Sequence, residues 1–368
     1  MTHAEEAEAV GLVGYGLYIP STQHTAADVA VGSGGRWTAD AVQHKLGFDR
    51  KPVAGPDDGT QEMGVRAALD CLQRTGVRPE AIDVILSVGE EYKEYPLTTT
   101  GIYIQERIGA KNAWAIDLQQ RCNTTVAALR FAKDLLIAEP ELKTVLIAGG
   151  YRNGDLIDYR DPTTSFMYNL AAGGGALLVQ KGHNRNRILG VEIATDGSMA
   201  RDVGVRYGGT RHPIEALPEE VLARLRREGN KSLTVFEPEH MKDSLNAIGF
   251  TKWFECLDKA LKKSGRSRRD LGYLNVLHFK PSMHQALLAE LGLREDQSYY
   301  LRDYGHLGQL DQMVSIHEGL RSGRLKDGAL MAMLAAGIGY VWGVALIEWG
   351  PRTPPQIDLG PRGGRGTP

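Results

Sequence analysis

Hydrophobic positions along this chain fall into continuous runs and helical stripes that repeat in order. The run Ala113 to Leu118 reads as a buried strand. It is followed by Thr124 to Leu136, with apolar residues at Val126, Leu129, Ala132 and Leu136, the spacing of one helix face. Earlier, an amphipathic segment Ala68 to Thr75 stops at Gly76, and a short polar turn leads into the apolar run Ala81 to Gly89. Far downstream the same grammar recurs: Cys256 to Ser264, a stop at Gly265, a polar turn, then Asp270 to His278. Each is followed by a further helical segment, Thr99–Ile108 in the first case and Ser282–Leu291 in the second. A second echo pairs Lys143–Gly149 and Leu170–Val179 with Gly328–Ala335 and Tyr340–Trp349. Two echoes in the same order predict a duplicated β-α-β-rich unit. The halves are residues 1–185 and 186–350, the first carrying the cysteine discussed below and the second two histidines.

Residues 201–240 break the pattern, with Tyr207-Gly-Gly-Thr-Arg-His-Pro213 and a charged helix near Pro218–Arg227. An insertion of that size is expected to shape a substrate entrance. The tail 351–368, rich in Pro, Gly and Arg, is expected to be flexible. Composition then narrows the function classes. Hydrophobic residues make up 42% of the 368, enough for a large core. A net charge of −2 argues against non-specific nucleic-acid binding. Three scattered cysteines, Cys71, Cys122 and Cys256, suit neither a disulfide framework nor a metal site. The polar N-terminus is unlike a signal peptide, and no run approaches the roughly 20 apolar residues that span a bilayer. A cytoplasmic protein is expected.

Cys122 stands at the junction of the strand ending at Leu118 and the helix starting near Thr124. There the first helical N–H groups are unpaired and the dipole is positive, which favours a thiolate. Two readings fit: a nucleophile, or the small buried apolar residue that most free cysteines are. His278 ends the second-half strand at a position equivalent to Gly89 in the first half, and functional groups gather at such carboxyl ends. His306 lies in Asp303-Tyr-Gly-His-Leu-Gly-Gln-Leu-Asp311, a glycine-flanked loop entering the helix Gln312–Leu320. Either histidine could equally be a hydrogen-bonded structural residue.

These residues together resemble the ketoacyl synthase III branch of the thiolase superfamily over roughly residues 10 to 350. The resemblance rests on the opening Gly11-Leu-Val-Gly-Tyr-Gly-Leu-Tyr-Ile-Pro20 and the cysteine at a helix start. It also rests on the histidine after Leu274–Leu277, the Tyr-Gly-X loop and the closing Ala335-Ala-Gly-Ile-Gly-Tyr-Val-Trp-Gly343. It implies an α/β thiolase fold, five layers αβαβα built from two duplicated halves, and a homodimer. It implies that Cys122 accepts an acyl group and that His278 and His306 are catalytic, His306 standing where the family usually has asparagine. Gly337 and Gly339 fall on the loop that supplies backbone oxyanion donors, and Trp37 falls near a residue that stacks on coenzyme A. Ser282 is the matching substrate-side position after His278. The departures Phe279-Lys-Pro-Ser282, Gly305-His-Leu-Gly308 and Gln119-Gln-Arg121 point away from the housekeeping fatty-acid initiator toward specialised lipid or polyketide biosynthesis.

The implied chemistry is an acyl-cysteine intermediate formed from an acyl-coenzyme A or acyl-carrier-protein thioester, with no permanently bound cofactor and no metal. The acyl group would then be condensed, with decarboxylation, onto a malonyl-type thioester. The alternatives are transfer to an oxygen or nitrogen acceptor, a hydroxymethylglutaryl-coenzyme A synthase-like reaction using Glu90 or Glu91 as acid–base, and a non-catalytic partner subunit. The basic runs Lys262–Arg269 and Arg224–Arg227 fit either docking of an acidic carrier protein or solvated helix ends.

Overall fold

A computed structural model describes residues 9–351; the expected flexible tail lies almost wholly outside them. The core strands are β1 Val10–Tyr18, β2 Val84–Val88, β3 Trp114–Leu118, β4 Thr144–Tyr151, β5 Gly173–Lys181, β6 Arg185–Thr195, β7 Leu271–Val276, β8 Leu330–Gly337 and β9 Val341–Pro351. The core helices are α1 Thr60–Thr75, α2 Thr100–Ile108, α3 Thr124–Ala138, α4 Pro238–Lys263, α5 Pro281–Leu291 and α6 Asp311–Arg321.

The strands form one hydrogen-bonded series, β7-β8-β9-β6-β1-β5-β4-β2-β3. Its middle joint, β1 to β6, is paired only at Gly11 and Arg187, so the series divides there into two sheets. The first runs β1-β5-β4-β2-β3 and the second β6-β9-β8-β7, extended by Ser298, which bridges in parallel to Leu274. Read outward from the joint, both sheets have the same connectivity, with the first two pairings antiparallel and the rest parallel. Helices α1 and α2 cover the first sheet and α4 covers the second, while α3 and α6 lie between the sheets and touch strands of both. This is the five-layer αβαβα thiolase fold.

Several expected elements shift. The strand expected at Leu170–Val179 begins at Gly173, because Ala171 N donates to His306 O and Ala172 N to Pro52 O instead of entering the sheet. The strand Ala113–Leu118 is not fully buried: it ends the series, and Trp114 (47%) and Ile116 (44%) are exposed. Within 201–240, strands Val203–Val205 and Leu233–Val235 pair antiparallel around the helix Glu219–Glu228.

Helix α1 lies on the first sheet at backbone distance. A methyl on Gly16 would meet Ala67 O at 2.1 Å, one on Gly150 would meet Thr60 O at 2.2 Å, and one on Gly174 would meet Met63 O at 2.1 Å. Adjacent strands thus present a glycine face that no larger residue fits. Buried Met63, Val65, Ala67, Ala68, Cys71 and Leu72 complete the helix's contact. Gly174→Ala is expected to lower stability by about 1–3 kcal/mol through overpacking. Gly197→Ala, where an added methyl meets nothing within 4 Å, is expected to change it by only a few tenths. Urea denaturation of both variants checks the contrast; equal losses would contradict the backbone contact.

Candidate active site

The turn Arg121–Asn123 precedes α3 and carries the thiol inward. Gln120 N donates to Thr124 Oγ1 (2.8 Å), and Thr124 Oγ1 donates to Arg121 O (2.6 Å), which closes the turn. Arg121 takes a left-handed φ of 53°, an uncommon conformation for a non-glycine residue and one often found beside functional groups. Thr125 Oγ1 donates to Gln309 O at 2.5 Å, tying the first turn of α3 to the segment that follows His306. This bond joins elements from the two halves of the chain.

His306 sits between two glycines that both need positive φ, Gly305 and Gly308 at 61°. A side chain at Gly308 would also strike the Tyr151 ring at 2.4 Å. The loop therefore turns tightly and points the imidazole at the thiol: His306 Nε2 lies 3.1 Å from Cys122 Sγ. On its other side, His306 Nδ1 lies 2.5 Å from Asp311 Oδ2. Asp311 also accepts from Leu307 N (2.6 Å) and His278 N (2.7 Å) and has no exposure. It is the first residue of α6, where a carboxylate is favoured by the helix dipole. With Asp311 taking the Nδ1 proton, the Nε2 lone pair faces the thiol, the arrangement of a base oriented by a third group.

The electrostatics follow from burial and this chain of contacts. Burial pushes the Cys122 thiol up, and His306 pulls the other way. Burial by itself would disfavour protonated His306, but the Asp311 carboxylate and the cysteine outweigh it and hold the ring well above its usual range. His306 is thus a strong proton acceptor. Cys71 and Cys256 lack such a partner, and burial drives them up to about 12 and about 11.

His278 is engaged differently. Its Nδ1 is 2.8 Å from Asn169 Nδ2, which donates to it, and its Nε2 donates to Gly47 O at 3.2 Å. Burial lowers its pKa to about 4, so the ring is neutral with both nitrogens occupied. The structure therefore brings His306 into contact with the thiol, while His278 reaches the site through its backbone N–H to Asp311. Gly337 packs on the turn that carries Cys122, with Arg121 Cβ and Gln120 O each 2.9 Å from where its Cβ would be. Gly339 follows in the connection to β9. Trp37 is half-buried, edge-on to Tyr168 at 6.3 Å, and Ser282 is exposed on the first turn of α5.

Of the two acidic residues at the end of β2, Glu90 turns inward. Its Oε2 accepts from Asn153 Nδ2 at 2.8 Å and lies 3.6 Å from Arg121 Nη1. Burial pushes its carboxyl up, with Arg121 opposing. Glu91 is largely exposed and pairs with Arg121 at 3.3 Å. Asp311 and Asn169 were not singled out from sequence. A carboxylate five residues after His306, at the helix start, was the available signal for Asp311; Asn169 gave none.

Comparisons with known proteins extend over most of the chain. Residues 116–197 match the family described as 3-Oxoacyl-[acyl-carrier-protein (ACP)] synthase III, and residues 261–349 match its C-terminal part. A β-ketoacyl-[acyl-carrier-protein] synthase III of Desulfitobacterium hafniense is 27% identical over 348 residues, covering 94% of this chain and 99% of that protein. One from Natranaerobius thermophilus is 24% identical, covering 85% of this chain and 92% of that protein. Among solved structures, the 3-oxoacyl-[acyl-carrier-protein] synthase III of Aquifex aeolicus aligns with a TM-score of 0.76 at 20% identity, covering 92% of this chain and all of that one. A priming β-ketosynthase of a polyketide pathway aligns with a TM-score of 0.76 at 22% identity, covering 94% and 97%.

Two outcomes are expected from these contacts. Asp311→Asn removes the carboxylate charge and sets an amide NH2 against one of the N–H donors it now receives, so if Cys122 is acylated the acylation should slow by about 10³–10⁴, by analogy with the same change in other triads. Single-turnover acylation followed by intact mass checks it, and a loss under tenfold would remove Asp311 from that role. The second concerns acid. Burial holds His278 and His284 at about 4, below the ordinary value. An unfolded chain binds their protons below about pH 6.5 and the fold does not, so stability is full above that pH and falls toward pH 4. The slope is about 1.4 kcal/mol per pH unit for each ring. Unfolding midpoints of wild type and His284→Phe between pH 7 and 4.5 should diverge in slope; parallel curves would contradict it.

Proposed function

We propose that this chain, which resembles the ketoacyl synthase III branch of the thiolase superfamily, transfers an acyl group from a thioester, through acyl-Cys122, to a hydroxyl or amine acceptor. One observation carries this reading: the chain Cys122–His306–Asp311, with His278 turned to Asn169 and Gly47. Decarboxylative condensation calls for two hydrogen-bond donors on an enolate oxygen, and the expected pair was His278 with His306. With His278 already bonded at both nitrogens, one imidazole remains to face the reacting atoms, and it is held as a base.

The steps balance through that ring. His306 Nε2 takes the Cys122 proton as sulfur attacks the acyl carbonyl of a coenzyme A or carrier-protein thioester. The tetrahedral oxyanion is met by backbone N–H groups of the nucleophile's turn and the Gly337–Gly339 loop. The intermediate expels the donor thiolate, which takes the proton from His306. In the second half His306 removes the proton of an acceptor O–H or N–H as that atom attacks acyl-Cys122. The cysteine leaves as thiolate and recovers the proton. Condensation onto a malonyl-type thioester is the second reading, favoured by the names of the relatives; Glu90 is then the further acidic group beside the thiol.

Homodimer formation is part of the proposal. Strand β3 closes the series with an open edge, and Trp114, Ile116, Ile102, Tyr95 and Leu97 are exposed around it. An apolar unpaired edge is a template for a second strand, here β3 of another copy. Ile116→Lys is expected to shift the species in sedimentation velocity from dimer to monomer; a wild-type monomer at micromolar concentration would refute it.

Incubation with acyl thioesters should add one acyl group to wild type and none to Cys122→Ala. With labelled malonyl thioester, the acyl-transfer reading expects no carbon dioxide release, and product only with an alcohol or amine acceptor. His306→Asn and His306→Ala should both lose transfer by about 10²–10⁴, because asparagine cannot take a proton. Release of carbon dioxide coupled to product, retained in His306→Asn, would replace transfer by condensation.

A further inference from the structure

Beside the segment Tyr168–Ala172, which pairs with His306, lies a cavity of about 360 Å³. The two share that segment: Leu170 bridges to His306, and Ala171 lines the cavity while its N–H donates to His306 O. The wall includes Lys51, Arg152, Lys231 and His24, with Asp155 the one acidic residue in the lining. Asp155 is committed to Arg152 at 2.7 Å. The lining therefore carries an excess of positive charge.

Lys51 makes the excess costly. It has no exposure, its ammonium donates to Tyr168 O (2.6 Å) and Leu170 O (2.5 Å), and the rings of Tyr159 and Phe48 lie 5.2 and 5.8 Å away. Among the described residues no carboxylate lies within ion-pair distance of it. Two carbonyls and two ring faces satisfy part of the ammonium but leave its charge unbalanced, and buried charges are ordinarily paired. Burial accordingly pulls Lys51 down to about 7, with Asp155 opposing from a distance. Val53, Ala54, Ile157, Ala171 and Ala172 supply an apolar wall beside this cationic floor. The size is at the lower end for small-molecule sites.

We propose that this cavity binds a small carboxylate with a short apolar body, its carboxylate facing Arg152 and Lys231 while the buried, unpaired Lys51 charge behind the wall adds its field. The apolar wall favours a carboxylate over a bare inorganic anion. The site stands independently of the acyl-transfer reading and borders the reaction centre through the segment 168–172.

Thermal unfolding with butyrate against its neutral isostere butyramide, at pH 6.5 and constant ionic strength, tests it directly. Butyrate should raise the midpoint saturably by about 1–3 °C and butyramide should not. Lys51→Met should abolish the shift, and Lys231→Ala, a change at an exposed rim position, should weaken the apparent affinity several-fold. Acetic anhydride labelling of the exposed Lys231 in wild type, mapped by peptide mass, should slow several-fold in butyrate, which keeps the test intact if Lys51→Met does not fold. No saturable shift, an equal shift with butyramide or in Lys51→Met, or unprotected labelling would overturn the proposal. A shift with inorganic phosphate and none with butyrate would overturn the carboxylate assignment.

Discussion

The Asp311 carboxylate is the group on which the site depends. It accepts from the His278 and Leu307 backbone N–H groups and from the His306 ring, so one buried side chain joins the end of β7, the glycine loop and the start of α6. A carboxylate without exposure is tolerable only when its lone pairs are filled by donors. Here the donors are also the parts that must be placed. Fixing the charge and fixing the His306 ring are the same event. The Thr125 bond to Gln309 then brings the other half's Cys122 to that ring.

The duplicated architecture explains why the centre lies where it does. α3 and α6 are equivalent helices of the two halves, both lying between the sheets and touching strands of each. Each begins near the carboxyl ends of its own strands, so the two N-terminal turns converge. One presents Cys122 and the other Asp311, with His306 bridging them. The positive ends of two helix dipoles and the strand ends of two sheets meet at one point, a natural position for developing negative charge.

Much of this was legible in the sequence because it is local. The helix–glycine–strand grammar revealed the halves, and the strand-to-helix junction marked Cys122. The glycines around His306 correctly signalled a tight loop, since both positions need positive φ. What escaped depends on distant partners. His278 looked equal to His306 from position alone, but Gly47 and Asn169, 231 and 109 residues away in sequence, claim its nitrogens. Lys51 stands in a short polar strand that gives no hint of complete burial; Tyr168 and Leu170 carbonyls fold over it. The exposure of β3 was missed because an apolar run looks the same at a sheet's centre and at its edge.

The glycine bed under α1 has a consequence for how such a protein can diverge. The helix touches the sheet through backbone atoms, so its path cannot absorb gradual side-chain exchange, and each accepted change must keep three or more glycines in place together. The first half is thereby held to a narrow range of sequences. Among the described residues, α4 meets the second sheet's glycines less closely, Ala260 O standing 3.3 Å from where a Cβ on Gly190 would be, and the segment between β6 and α4 carries its own hairpin and helix. Novelty in what the protein accepts is expected to accumulate there, while the half bearing Cys122 stays as an inherited chassis.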